Sequence, residues 1–477
     1  MGKKEDTKGI TVKKSENMPE WYFEVVQKAD LADYSPVKGF MIIKPDAYTI
    51  WESIQKYFNK VLDKHKVRNA YFPLLIPESF FKRESKHAEG FAPELAYIEK
   101  KNDDGERLAI RPTSETIIYD SYSKWIRSWR DLPMIMNQWC NVLRWEVSQT
   151  KPFLRSREFL WQEGHGVFET EKEAIGDMRL MMDEYKKMME KLLAIPVLIG
   201  EKSEAEKFPG AVATMTMEAL MPDGKALQCG TSHNLGQGFA KTFDVKFTNR
   251  NEKESFAWQT SWGISTRLIG ATIMLHGDDK GLVLPPSISK NKVVIIPILF
   301  EDSKKQIIEA ANTICKTLDS FGAIVDDREE YKPGYKFNEW ELKGIPIRIE
   351  IGPRDLEKNI AILVRRDTGE KQTVEIKNIK SEVKKLLNQI QTNLFEKAKK
   401  NLYHNIIEVD NLKELKKQIK NGKIVKCYMV NDKEIEAQLK EATGGANSRI
   451  IETSKKEGNC IQSGKKTKTM AYIARSY

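Results

Sequence analysis

The sequence predicts a chain of mixed α and β structure divided into roughly two to four domains. At 477 residues it is longer than one hydrophobic core usually organises. A hydrophobic fraction of 40% and a charged fraction of 31% are those of a globular protein. The texture also changes twice along the chain. From Pro19 to Pro286 helical patterns alternate with short apolar runs, and this region holds nine of the ten tryptophans. From Asn291 to Ile376 the order is strand, helix, strand, which marks a compact α/β module. Beyond Asn378 a Lys-rich helical stretch leads to a small apolar patch, "MAYIARSY", as in a further α/β unit.

Taken in order, residues 1–18 are polar and Lys-rich without the apolar centre of a signal peptide, and read as a disordered basic tail. A long helical segment from Tyr48 to Lys66 precedes "YFPLLIPESFF" (71–81), an apolar strand that Pro73 and Pro77 confine to an edge or interface. Two apolar runs within residues 136–165 flank a polar loop containing Lys151 and Pro152, the pattern of an antiparallel hairpin. The Met-rich run "DMRLMMDEYKKMMEKLLA" has helical spacing and reads as core packing. In "TSWGISTRLIGATIMLHGDDKGLVLPP" (260–286), small residues flank Arg267 before an apolar helical run. "KVVIIPILF" is a buried strand, "DSKKQIIEAANTICKTLDSFG" an amphipathic helix ending at Gly322, and "IPIRIEIG" an alternating strand. No apolar run approaches the roughly 18 residues of a membrane span. Five scattered cysteines form no disulfide framework and suit a reducing cytoplasm. The net charge of +10 is compatible with a polyanionic partner and, alone, is weak evidence for one.

Chemistry concentrates in the hairpin. Arg144, Glu146, Arg155, Arg157 and Glu158 crowd its strand ends and loop. Arginine suits phosphate because its planar fork stays charged and offers paired N–H donors. A surface hairpin laced by ion pairs to Glu146, Glu158 and Glu163 accounts for the same residues. Around Arg267, small residues permit close backbone approach by a nucleotide; helix-on-sheet packing is the plain alternative.

The segments 48–81, 136–165 and 260–286, in this order, resemble the three signature motifs of class II aminoacyl-tRNA synthetases. These are a helix and strand ending in proline (Pro77), a hairpin with R-x-E (Arg144, Glu146), and a small-residue stretch with an arginine (Arg267). "RPTSET" (111–116), "FLRSREFLWQEGH", "GTSHNLGQ" (230–237), "SWGISTRLIG" and the terminal "ARSY" narrow the resemblance to the prolyl-tRNA synthetase family, archaeal-eukaryotic-type branch. The resemblance implies an α+β catalytic domain built on a mostly antiparallel sheet (19–284). An α/β anticodon-binding domain (285–392) and a small α/β C-terminal domain (393–477) follow. It further implies a cytoplasmic homodimer using L-proline, ATP with Mg2+, and tRNA(Pro), without a membrane.

Proline's carboxylate must attack the α-phosphorus of ATP in line, so positioning and charge neutralisation supply most of the catalysis. The resemblance implies that Arg144 and Arg267 are catalytic, with Arg144 bridging carboxylate and α-phosphate. Arg155 and Arg267 would hold the triphosphate. Glu146, Gln228, Thr231 and Ser265 would complete the ATP site. Thr113 and Glu115 would accept from the secondary ammonium, and Trp161, Glu163, His165 and His233 would line the proline pocket. "PTSETIIY" also reads as a capped helix start, and both readings are compatible. In the α/β module, Glu341, Arg348, Arg354 and Lys371 are candidates for anticodon contacts; ordinary surface charge explains them as well. Many relatives hold zinc through four cysteines in the C-terminal domain, whereas only Cys427 and Cys460 remain here, so no zinc is expected. The span between "EGH" and the third motif is too short for an editing insertion. Two other readings stay open. One is a related synthetase for threonine, serine, glycine or histidine; the other is a non-catalytic paralogue.

Overall fold

The computed structural model describes residues 9–85 and 94–477. An eleven-stranded sheet among the described residues is the spine of the molecule. The part of it built before residue 266 runs Leu198–Glu201, Ala213–Leu220, Ala226–Gly236, Trp258–Ser265, Glu158–Phe168, Met134–Leu143 and Arg68–Asn69. These neighbours pair antiparallel, except Arg68–Asn69, which lies parallel to Met134–Leu143.

One face of this sheet is covered by helices whose apolar stripes the sequence dictates. Helix Pro45–Lys64, opened by a proline at its first turn, buries Ile50, Trp51, Ile54, Phe58 and Leu62 at helical spacing. Helix Glu171–Lys191 starts in a capping box between Thr170 and Glu173 and buries Met178, Met181, Met182, Met188 and Met189. The Met-rich run is therefore core, as its spacing predicts. Trp262, Ile264 and Met217 point from the sheet into the same core. The other face is left for the cleft.

Part of the segment 71–81 departs from expectation. Only Leu75–Pro77 is strand, in a separate three-stranded sheet, and a helix, Glu78–Ser85, begins directly after Pro77. The N-terminus departs too. Residues 1–8 of the expected tail lie outside the described residues, but 9–17 are anchored and Met18 opens the helix Met18–Lys28. Thr11 donates its backbone N–H to Glu24 at 2.6 Å, and Lys14 reaches the Gly277 carbonyl at 2.5 Å while its N–H binds Asp279. Specific acceptors thus offset the chain entropy that a Lys-rich composition favours.

The α/β module is a five-stranded mixed sheet, with Val293–Pro297 central between Ile324–Val325 and Ile347–Ile351 and parallel to both. Its helix Lys304–Thr317 is followed by a short turn that stops at Gly322, with φ +64. Arg366 clamps Asp278 through two bonds of 2.7 and 2.6 Å, tying the module to the part of the chain that precedes it. A single helix, Ile379–His404, runs on from the module and crosses position 392.

The C-terminal residues extend the large sheet rather than forming one of their own. Asn447–Asn459 pairs with Leu198–Glu201 at Ile451 and Glu201, and Lys466–Ala474, Ile424–Tyr428 and Ile406–Glu408 continue outward. Cys427 and Cys460 are both buried in this domain's core, among Leu415, Val425, Leu439 and Ile473. That hydrophobic packing holds the domain together. Among the described residues, no helix is long and apolar enough to cross a membrane.

Candidate active site

The uncovered face carries its side chains in rows, because residues two apart on a strand share a face. His165, Ser261, His233 and Thr214 are successive register partners across four strands. Glu163, Gly263, Thr231 and Thr216 make the next row, and Trp161 with Ser265 the third. Gln228 is out of phase with Thr231 and His233 by sequence. A register shift between Met217 and Glu218 brings it to the same face. These rows floor a cleft of about 390 Å³ that also takes in Thr113, Glu115, Arg144, Glu146 and Arg267.

At one end the floor is a buried polar network. The Glu163 carboxylate accepts from Ser114 Oγ at 2.5 Å, Gln138 Nε2 at 2.9 Å and His165 Nε2 at 3.0 Å. Burial works against its ionisation, yet His165, Ser114 and Gln138 outweigh it and hold the carboxyl below its ordinary range. Burial likewise opposes the charge on His165, and Glu163 overrides it, raising the imidazole's pKa. The other imidazole nitrogen of His165 meets Tyr119 OH at 3.2 Å. Gly164, between the two, is required: a Cβ there would stand 2.1 Å from the Trp262 ring. His233 is the opposite case, pushed down to about 3 by burial and by His165, and so neutral. Thr214 Oγ1 bonds its Nδ1 at 2.9 Å.

Thr113 donates to Glu115 above this network, and Ser114 occupies the N-cap position of helix Glu115–Trp125, its hydroxyl turned to Glu163 instead of capping. The loop is fixed from behind by Arg111, 1% exposed, which donates to the carbonyls of Phe72 and Asn141 at 2.8 Å each. Arg111 was not singled out from sequence, although it stands directly before "PTSET".

Arg144 and Arg267 line the same cleft, near enough for their charges to interact. Arg144 lies over the Phe159 and Trp161 rings, 5.3 and 5.7 Å from their centroids, with Nε on the Pro112 carbonyl at 3.4 Å. Arg267, first residue of helix Arg267–His276, donates to the carbonyls of Leu154 at 3.1 Å and Gln228 at 3.2 Å. Burial lowers the pKa of both, and Arg144 is among the charges that lower Arg267's further. Glu146, Glu115 and Glu163 act on Arg144 against that burial, and two cations lining one cleft give an anion paired N–H donors.

Of the sequence-derived cleft residues, Arg155 alone does not line the cleft, although its charge is near enough to act on Arg267. It is exposed on the hairpin loop and lines a separate depression with Phe40 and Tyr34. Arg157 also points away, donating to Val147 at 3.1 Å under the Trp145 ring. A second wall, Lys202, Glu206, Lys207, Phe208 and Pro209, was missed altogether. In the module, Arg348 is 7% exposed and bonded to Glu341 and Glu350, with Lys371 also on Glu350. Arg354 stands exposed on the short helix Pro353–Glu357.

Comparison with known proteins matches three families in succession. The tRNA synthetase class II core domain (G, H, P, S and T) covers residues 97–276, an anticodon binding domain covers 292–386, and the prolyl-tRNA synthetase C-terminal family covers 412–477. A proline–tRNA ligase from Alkaliphilus oremlandii is 51% identical over 464 residues, 96% of each chain. The chain belongs to the prolyl-tRNA synthetase family. A second relative, the proline–tRNA ligase of Cenarchaeum symbiosum, is 47% identical over 98% of this chain and 99% of its own. The crystal structure of prolyl-tRNA synthetase from Cryptosporidium parvum, complexed with L-proline and AMP, superposes with a TM-score of 0.92 at 40% identity. It covers 98% of this chain and 100% of that one. The same enzyme complexed with halofuginone and AMPPNP also gives 0.92, covering 99% and 98%. The class II fold, the anticodon-binding module and the C-terminal domain expected from sequence are therefore established.

Proposed function

We propose that this cleft activates L-proline with ATP and passes it to tRNA(Pro), with the residue roles that follow. The observation carrying them is the convergence of Arg144 and Arg267 above the Glu163–His165 floor in one cleft. Proline's two ammonium N–H groups meet Thr113 and Glu115, and the pyrrolidine ring lies among Trp161, His165 and His233. Its carboxylate and the α-phosphate share Arg144, so nucleophile and electrophile are held in line while charge builds on the phosphoryl oxygens. Arg267 takes the remaining phosphates, and Glu146, Gln228, Thr231 and Ser265 receive adenine and ribose. ATP enters as its Mg2+ complex. Magnesium binds mainly through the substrate's own phosphates.

Arg155, exposed beside the cleft with its charge already acting on Arg267, joins the triphosphate by turning its side chain inward when ATP binds. Glu341, Arg348 and Lys371 form one polar cluster for anticodon bases, and Arg354 is a further contact; unstacked bases are read on such edges. The C-terminal domain needs no zinc, and the enzyme works as a cytoplasmic homodimer.

The test is amino-acid-dependent exchange of pyrophosphate into ATP, comparing proline, threonine, alanine and cysteine on the wild type and Arg144→Ala. Exchange strongest with proline and abolished by the substitution supports the assignment. Exchange surviving in Arg144→Ala removes Arg144 from the reaction.

A further inference from the structure

We infer that Arg449 and Asn431, both of the C-terminal domain, are positioning residues that set the proline end of the cleft by gripping the wall that carries Phe208. This rests on the functional reading above and adds a role that the reading does not contain.

The wall is the segment following strand Leu198–Glu201, and Lys202, Glu206, Lys207, Phe208 and Pro209 face the cleft from it. Its far end bears on the pocket directly. The Phe208 ring lies 4.8 Å from the His233 ring, centroid to centroid. The Phe208 N–H donates to Thr214 Oγ1 at 3.0 Å, and that hydroxyl bonds His233 Nδ1 at 2.9 Å. Phe208 therefore bears on the His233 side chain twice, through its ring and through Thr214.

The near end is held by a buried ionic cluster. Lys202 Nζ donates to Glu218 at 2.9 Å, and Thr216 Oγ1 adds a bond of 2.8 Å. Arg449 reaches the same carboxylate from the C-terminal domain with three contacts of 2.9–3.1 Å. Lys202, Glu218 and Arg449 are 6%, 1% and 7% exposed. Two cations on one carboxylate away from water is a costly arrangement, stable only with such saturated geometry. Glu218 also pairs in register with Gln228, so the cluster lies at the edge of the cleft floor and not at a remote domain seam. A second grip lies two residues along, where the Glu204 N–H donates to Asn431 Oδ1 at 2.8 Å. Backbone packing removes the remaining slack: a Cβ at Gly200 would fall 2.2 Å from Ile450. The wall is thus fastened to the C-terminal domain at its root, directly by Asn431 and through the shared Glu218 carboxylate by Arg449, and touches the pocket at its tip.

The assay is pyrophosphate exchange with proline and ATP varied separately, on wild type, Arg449→Met, Arg449→Lys, Asn431→Ala, Phe208→Ala and the Arg449→Met/Phe208→Ala pair, alongside thermal melts. Arg449→Met raises KM for proline about tenfold and leaves KM for ATP and kcat within about twofold, because a wall shifted by a fraction of an ångström loosens only the pocket it touches. Arg449→Lys recovers part of the affinity, Asn431→Ala moves KM for proline the same way by less, and Phe208→Ala shows the same split. The double variant is no worse than Phe208→Ala alone, since the grip acts through that ring. Equal rises in both KM values, an unchanged KM for proline in folded Arg449→Met, or additive losses in the pair overturn the inference. If Arg449→Met does not fold, Asn431→Ala decides, an unchanged KM for proline being fatal. Absence of proline-dependent exchange in the wild type defeats the functional reading instead, so the two failures are distinct.

Discussion

Replacing Glu163 by Gln removes a charge from the cleft floor while keeping its volume. The carboxylate takes hydrogens from His165, Ser114 and Gln138. A glutamine oxygen cannot serve all three, and its NH2 group faces a donor. Breaking a buried pair from one side costs about 3–5 kcal/mol. The partners that a Gln keeps reduce this, so we expect a loss of about 3 kcal/mol in urea unfolding. The pH dependence separates charge from packing. His165 has its pKa raised from the ordinary 6.5 in the folded state, so its share of stability is full below 6.5 and fades as pH rises through the raised value. Glu163 is lowered from 4.5, so its share is full above 4.5 and fades as pH falls through the lowered value. The gap between wild type and Glu163→Gln is therefore widest between those ordinary values and narrows on either side. A gap below about 1 kcal/mol, or one that stays constant from about pH 6 to about pH 9, refutes the ion pair.

Arg267→Gln removes the charge beside the triphosphate while a side-chain amide remains near the Leu154 and Gln228 carbonyls; exchange kcat/KM for ATP falls about 10²–10³-fold with the melting temperature little changed. His233 and His276 are lowered from 6.5 to about 3 and about 4, so each favours folding above 6.5 and loses that contribution as pH falls. Between about pH 7 and about pH 5 each costs about 2 kcal/mol, and His276→Gln, which keeps a donor for Leu193, shows a smaller acid loss in urea titrations. Gly224 has φ +78 and a Cβ there would lie 2.3 Å from Gly422 Cα, backbone against backbone. Gly224→Ala destabilises the docking of the C-terminal domain by about 2 kcal/mol, read as a lower unfolding midpoint.

What the sequence disclosed follows the range of the forces involved. The Met-rich helix was legible because its five buried methionines repeat at the helical period, a purely local signal. The hairpin was legible for the same reason, and the likeness of short strings to a known family then supplied most of the cleft. Arg155 shows the limit of strings. A surface loop follows its own turn, and here Lys151 N–H bonds the Arg155 carbonyl at 2.6 Å while the Arg155 side chain lines a neighbouring depression and its charge still acts on Arg267. The strand expected over 71–81 failed on another local competition, since Glu78 and the residues after it form a helix once Pro77 ends the strand.

The C-terminal domain marks where reading along the chain stops. Its residues look like a separate α/β unit because strand and helix patterns carry no information about which sheet a strand will join. The joining is made by contacts with no sequence proximity, among them Ile451 beside Glu201, and Arg449 on Glu218, 231 residues away. A buried carboxylate with two cations is unreadable in advance, since each member alone looks like surface charge. The consequence is functional as well as topological. One continuous sheet carries the rows of the cleft floor at its centre and the C-terminal strands at its edge, with Glu218 and Lys202 between them. A protein that needed this domain only for tRNA would have no reason to bury two cations and a carboxylate at that seam, where an apolar contact of the same volume is no less stable. The cluster fixes a direction as well as a distance for the wall bearing Phe208, and an apolar contact would not supply that orientation.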